Sequence, residues 1–218
     1  MVKNDREYRN MTMQIREARE GEDQGKVVTG YASTFDEPYK LFSGEGWEYW
    51  ETVDRTAFDE TDMNDVIMQY DHHGRVFART RNNTLRVKPD EMGLFIEADL
   101  GGTEIGRELY EEIAGGYTDR MSFGFTVTGE MEEREKNENG LEIYTRHITK
   151  VGKLYDASAV SIPANDGTSI SADAVTRSIG DLRDGVIERI QAERLEEEKA
   201  KLEQRRAELK AWALKERI

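Results

Sequence analysis

The chain has 218 residues, a formal net charge of −14 and no cysteine. That length holds one core and an appendage, and the missing cysteines exclude a disulfide framework, a thiol nucleophile and a thiolate metal site. The acidic balance argues against nucleic acid as a partner, because phosphate binding needs a surplus of Lys and Arg on some face. A hydrophobic share of 37% beside a charged share of 35% fits a modest core joined to a solvated segment. Neither the first twenty residues nor any later stretch has the apolar run of a signal peptide or a membrane span, so the expectation is a cytosolic chain with no membrane partner.

Taken in order, Met11–Thr34 predicts two strands joined by Gly21–Gly25, since Met11, Met13 and Ile15 alternate before the turn and KVVTGYAST follows it. The aromatic, turn-rich DEPYKLFSGEGWEYW predicts a loop over the sheet. Val66–Tyr70 is a β-prone apolar run, and TLRV, the turn KPDEMG and LFIEADL predict a hairpin. A helix follows, with Thr103 as N-cap, Ile105, Leu109 and Ile113 on one face and Gly115-Gly116 as its stop.

In MSFGFTV, Met121, Phe123, Phe125 and Val127 alternate with Ser122, Gly124, Thr126 and Thr128, which predicts a strand with one core face and one small polar face. EMEEREKNENG predicts an exposed hairpin tip, LEIYTRHITKV its return strand, and LYDASAVSI a last strand closed by Pro163. From about Val175 the chain turns to Glu, Lys, Arg, Leu and Ala, a helix-forming composition. The predicted domains are therefore a β domain over 1–174 and a charged helical tail over 175–218. Leu195, Leu202 and Leu209 stand seven apart, but Glu198 and Arg205 interrupt the second row, so only half a coiled-coil seam exists for self-association or docking.

Only His72, His73 and His147 can supply an imidazole. If VIMQYDHH is extended, His72 points with Val66, Met68 and Tyr70, and His73 points the other way. His72 is then either a hydrogen-bonded histidine at a strand end or a base. Adjacent strand residues face opposite sides, so His72 and His73 are poor metal co-ligands, and HExxH, GxSxG, SxxK and phosphate-loop patterns are absent. Ser122 opens a strand in a row of small residues, as a turn serine or as a nucleophile with space above it. Asp156 sits in an apolar strand, where an acid costs stability unless it is paired: it either caps backbone at an edge or orients a histidine.

KVVTGYASTFDE, YWETVDRTAFDE, VIMQYDHHGRVFARTRNNTLRV, GYTDRMSFGFTV and KLYDASAVSIPAND occur in that order over roughly Met11 to Ser171. This set resembles the tailed-virus prohead protease family, phage relatives of the herpesvirus assembly protease. The resemblance implies a mainly β fold with flanking helices, an antiparallel β-barrel of the herpesvirus assembly protease type, followed by the long C-terminal helix. It implies a serine endopeptidase with Ser122 of MSFGF as nucleophile, His72 as base and Asp156 of DASAVSIPAN as the third member, in the chain order His, Ser, Asp. The adjacent His73 is the alternative to His72. The herpesvirus relatives use a second histidine, for which His147 is the counterpart, and Asp156 is preferred because it lies in the family-like motif.

The resemblance also implies no cofactor or metal. Its substrates are a viral scaffold protein or the major capsid protein precursor, together with the chain itself, inside the assembling procapsid in the host cytoplasm. A catalytically inactive assembly scaffold of the same fold is the alternative.

Overall fold

The computed structural model describes residues 6–15, 25–161 and 173–215. It is mainly β, with ten strands, a single 3₁₀ turn and two helices among those residues, and it divides into two compact units, residues 1–179 and 180–218. In chain order the strands are β1 (Arg6–Ile15), β2 (Val27–Thr34), β3 (Tyr39–Gly44), β4 (Trp47–Val53), β5 (Ile67–Tyr70), β6 (His73–Arg79), β7 (Leu85–Pro89), β8 (Gly93–Asp99), β9 (Arg120–Lys136) and β10 (Glu142–Val160). Helix α1 spans Glu104–Ala114 and α2 spans Asp173–Lys215. No helix among the described residues is long and apolar enough to cross a membrane.

Hydrogen-bonded neighbours run β3-β4-β10-β9-β1-β2-β8-β7, and β5, which carries β6, branches from β10. The order does not close into a ring among the described residues, because no ladder pairs β6 with β7, which follow each other across the 3₁₀ turn Thr80–Asn82. It is also not purely antiparallel: β10 pairs parallel with both β4 and β5. The expected antiparallel barrel is thus a mixed, open sheet at the level of strand pairing.

The β1–β2 antiparallel pair and the β7–β8 hairpin form as their alternation predicts, with Met13 opposite Gly30 and Val87 opposite Ile96, while the expected turn at Gly21–Gly25 lies, up to residue 24, outside the described residues. The aromatic segment predicted as a loop instead builds the β3–β4 hairpin. Its turn closes at Gly46, which takes a φ of 76°, and the Phe42 and Tyr49 rings stack across the strands at 5.0 Å. Cross-strand aromatic pairing of this kind stabilises a strand pair that glycine-rich composition alone argues against. EMEEREK is likewise strand, with the tip confined to Asn137–Leu141. LYDASAVSI is not a separate strand either: β10 runs unbroken for 19 residues, absorbing register shifts between Ile148 and Lys153 and again between Leu154 and Asp156 as bulges, and its expected stop at Pro163 lies outside the described residues.

Helix α1 follows the predicted signals. The Thr103 hydroxyl accepts a hydrogen bond from the Gly106 N–H, Leu109 and Ile113 are buried, and Gly116, at a φ of 73°, ends the helix. Burying two such side chains contributes about 1.5–3 kcal/mol each. The core gathers Val28 and Ala32 of β2, Leu94 and Ile96 of β8, Phe123 and Phe125 of β9, and Leu154 and Ala157 of β10.

A second buried region is ionic. Arg9 donates to Glu51 at 2.5 and 2.7 Å and to Glu7 at 2.7 Å, and Arg146 donates to Glu51 at 2.9 Å, to Glu7 at 2.7 and 2.8 Å and to Glu130 at 2.6 Å. Tyr39 completes it with a short bond to Glu51. Burial alone would favour loss of the arginine protons, but the carboxylates outweigh it and hold both guanidiniums charged. Burial alone would raise the Glu7 carboxyl; the Arg146 hydrogen bond and the charges of Arg9 and Arg146 overcome it and lower its pKa to about 2. The cluster ties β1, β3, β4, β9 and β10 together beside the strands that carry the candidate site.

Candidate active site

Strand β9 turns Met121, Phe123, Phe125 and Val127 into the core, which leaves Ser122 and Gly124 on its other face. Strand β10 lies antiparallel beside it, with Ser158 opposite Ser122 and Asp156 opposite Gly124. Residues directly opposite on one face have Cβ atoms about 5 Å apart. Ser122, Asp156 and Ser158 therefore form one polar patch on a sheet whose reverse is core, and each has at most 1% of its surface exposed.

His72 reaches this patch by a route that strand phase does not predict. Strand β5 ends at Tyr70, and Asp71 and His72 both take positive φ, 49° and 61°, while Tyr70 pairs with His73. Two central residues of positive φ make the primed two-residue turn that suits the twist of a hairpin. The expected extended VIMQYDHH is thus corrected: His72 sits in the turn, not in the Val66–Met68–Tyr70 row. The turn is held against β10, since the Asp71 N–H donates to the Ala159 carbonyl at 2.9 Å and the Asp71 carboxylate accepts from the Ser161 N–H at 2.9 Å.

From there the imidazole lies on Asp156, with Nδ1 and Oδ1 2.5 Å apart and both side chains 1% exposed. Ser158 Oγ donates to the same Oδ1 at 2.8 Å. Arg6 Nη1 stands 3.6 Å from Oδ2, and the Tyr8 ring meets the His72 ring edge-on at 4.3 Å between centroids. A Cβ at Gly124 would fall 2.6 Å from Asp156 Oδ2 and 2.8 Å from Tyr8 Cε1, so only glycine leaves room for the acid.

Three polar atoms of this patch, Ser122 Oγ, His72 Nε2 and Asp156 Oδ2, are buried without a hydrogen-bond partner. Ser122 and His72 are not hydrogen-bonded to each other in this structure. Each buried unsatisfied polar group costs about 1–3 kcal/mol, and three together on one patch are a reserve that stability alone does not explain. Bonds between a nucleophile and its base are often long without substrate and tighten in the complex.

The other two histidines lie elsewhere. His73 is exposed, and its Nδ1 bonds back to the Asp71 carbonyl at 2.8 Å. His147 stands nine residues before Asp156 on β10, roughly 25 to 30 Å away at strand rise, with Nε2 3.6 Å from Glu133. Sequence reasoning missed Ser158, Gly124, Tyr8 and Arg6. Ser158 had a signal, because alternation places it on the Asp156 side of DASAVS; Arg6 and Tyr8 come from a distant strand and had none.

The acid holds Nδ1 of the imidazole and leaves Nε2 without a partner, with the small Ser122 hydroxyl on the same patch; an acid, an imidazole and a hydroxyl are the three groups that an acyl-transfer triad employs. No curated protein and no solved structure matches this chain. The family model described as caudovirus prohead serine protease matches residues 11–183, a span that includes the β9 and β10 motifs and the β5–β6 turn. On that match the chain belongs to the caudovirus prohead serine protease family, whose members mature viral capsids.

Proposed function

We propose that this protein is an active serine endopeptidase that cuts a scaffold or capsid-protein precursor, and itself, during capsid maturation, with Ser122 as nucleophile, His72 as general base and Asp156 as the acid that orients it. The observation that carries the reading is the His72 Nδ1–Asp156 Oδ1 pair, buried on the same patch as a serine hydroxyl that has no hydrogen-bond partner. In this reading Asp156 fixes the tautomer with hydrogen on Nδ1, so Nε2 takes the Ser122 proton as Oγ attacks the scissile carbonyl. His72 then returns that proton to the leaving amine, and water releases the acyl group by the same path. Both parts of the protein would then act inside the procapsid, where enclosure with the substrate supplies a high local concentration.

In the same reading the sheet is an incompletely closed barrel, with its gap between β6 and β7, and residues 175–218 form a docking tail. Leu195, Leu202, Leu209 and Trp212 are each more than half exposed on α2. Lys199, Arg205 and Arg206 stand three or four residues from those leucines, as Glu198 does from Leu195 and Leu202 and Glu208 from Trp212. The half-formed leucine seam calls for a partner helix, and in this reading that helix belongs to the scaffold or capsid precursor, with self-association as the alternative.

The test is co-expression with the virus's own capsid precursor, comparing the intact chain with Ser122→Ala. The expected outcome is loss of precursor cleavage and of self-cleavage with the fold unchanged. Undiminished cleavage by a folded Ser122→Ala variant would remove Ser122 from the mechanism. Fluorophosphonate labelling separates the enzyme from an inactive scaffold of the same fold, because only an activated serine reacts.

A further inference from the structure

We infer that Ser158 is a positioning residue of the site, a fourth member that holds Asp156 for His72; the inference rests on the protease reading above. Asp156 Oδ1 is shared by two donors, His72 Nδ1 at 2.5 Å and Ser158 Oγ at 2.8 Å. Ser158 has no exposed surface, and its register partner across the sheet is Ser122 itself. Its hydroxyl therefore has no solvent to turn to, and this carboxylate oxygen is the acceptor it uses.

The arrangement fixes the acid from both sides. Oδ2 already fills the space over Gly124 that a side chain would take, so the carboxylate lies close against β9. Ser158 holds Oδ1 along β10, and His72 closes the third direction. A carboxylate free to rotate would present either oxygen to Nδ1 and let the ring drift from the nucleophile, and misplacement of about 1 Å costs on the order of 10²-fold in rate.

The bond has an electrical consequence as well as a steric one. A donor on Oδ1 draws negative charge away from Nδ1, so its removal leaves a stronger partner for the imidazolium. The acid limb of the pH–rate profile then moves to higher pH. The other charged or titratable groups beside the pair are Arg6 and Tyr8 on β1 and Asp62, Asp65, Arg79, Arg81, Lys153 and Tyr155 around the cavity that Asp156 lines. All eight stay in place in the variants below, so a moved limb reports the lost hydroxyl.

The experiment measures the rate of fluorophosphonate labelling of the full chain against pH for wild type, Ser122→Ala, Ser158→Ala, Ser158→Thr and Ser158→Val. Thr and Val share a shape and differ only in the hydroxyl, so their ratio reports the bond even if the site resents a branched side chain. The expected result is a fall of about tenfold or more for Ser158→Ala, as for loss of a hydrogen bond to a charged group, with its acid limb raised and Thr well ahead of Val. A Ser158→Ala rate and limb equal to wild type, or equal rates for Thr and Val, overturns the inference while leaving the protease reading intact. Absence of labelling in wild type, or equal labelling of Ser122→Ala, overturns the protease reading and this inference with it.

Discussion

The space a side chain would take at Gly124 is already filled by the Asp156 carboxylate on one side and the Tyr8 ring on the other. Neither can retreat, because the ring lies against His72 and the carboxylate is held by His72 and Ser158. Gly124→Ala is therefore expected to displace the acid, lowering the fluorophosphonate labelling rate by about 10²-fold and stability by about 1–3 kcal/mol; a thermal melt beside the labelling assay checks both. Asp156→Asn keeps the shape but favours the wrong imidazole tautomer, and by analogy with triads elsewhere activity falls about 10⁴-fold. His147→Ala, far along β10, leaves cleavage of the capsid precursor unchanged; a severe His147→Ala beside a mild Asp156→Asn would exchange their roles. Ser122 and Asp156 were picked out by the family-like motifs MSFGF and DASAVSIPAN, whereas strand alternation alone left each open between a structural and a catalytic role. Gly124 was read only as a small residue, since the atoms that forbid a larger one belong to residues 8 and 156.

At the scale of elements, the β5–β6 turn decides which histidine enters the site. Sequence reasoning reached His72 through an extended strand, whereas the chain reaches it through two residues of positive φ. The residue was legible and the route was not, because a primed turn at Asp71-His72 lacks the glycine that usually announces one. The expected outcome is loss of labelling in His72→Ala and full retention in His73→Ala, whose ring is exposed; the reverse pattern would contradict the turn. The β3–β4 hairpin escaped notice for a related reason, as its stability lies in Phe42, Trp47 and Tyr49 meeting across strands and not in any one segment. Helix α2 was legible from composition, and its leucine stripe bears a further expectation. A chain ended after Gln191 lacks Leu195, Leu202, Leu209 and Trp212, and it should still label while failing to co-purify with the capsid precursor; failure to label in a folded truncation would make the stripe part of the active enzyme.

For the whole molecule, the ionic cluster of Arg9, Arg146, Glu7 and Glu51 is the feature least legible in the sequence, since its members come from positions 7, 9, 51 and 146. Its stability effect has a definite sign. The Glu7 carboxyl is lowered from 4.5 to about 2 in the folded chain, so its contribution is complete above pH 4.5 and is lost as pH falls through about 2. Urea unfolding followed from pH 7 to pH 2 should show this loss below pH 4.5, and Glu7→Gln should flatten part of it. Removing one partner from such a buried network costs about 3–5 kcal/mol, so Arg146→Met is expected to unfold at clearly lower urea, and an unchanged midpoint would make the cluster a bystander. Arg146, Asp156 and Ser158 all ride on the single strand β10, and that fact constrains how the gene can change in length. An extra codon at the Asn137–Leu141 tip only enlarges a surface turn. The same codon between Asp156 and Ser158, where the ladder to β9 is regular, reverses the side chains beyond it, sending Ser158 toward the core. Natural length differences among descendants of this gene will therefore collect at the tip and stop short of the strand.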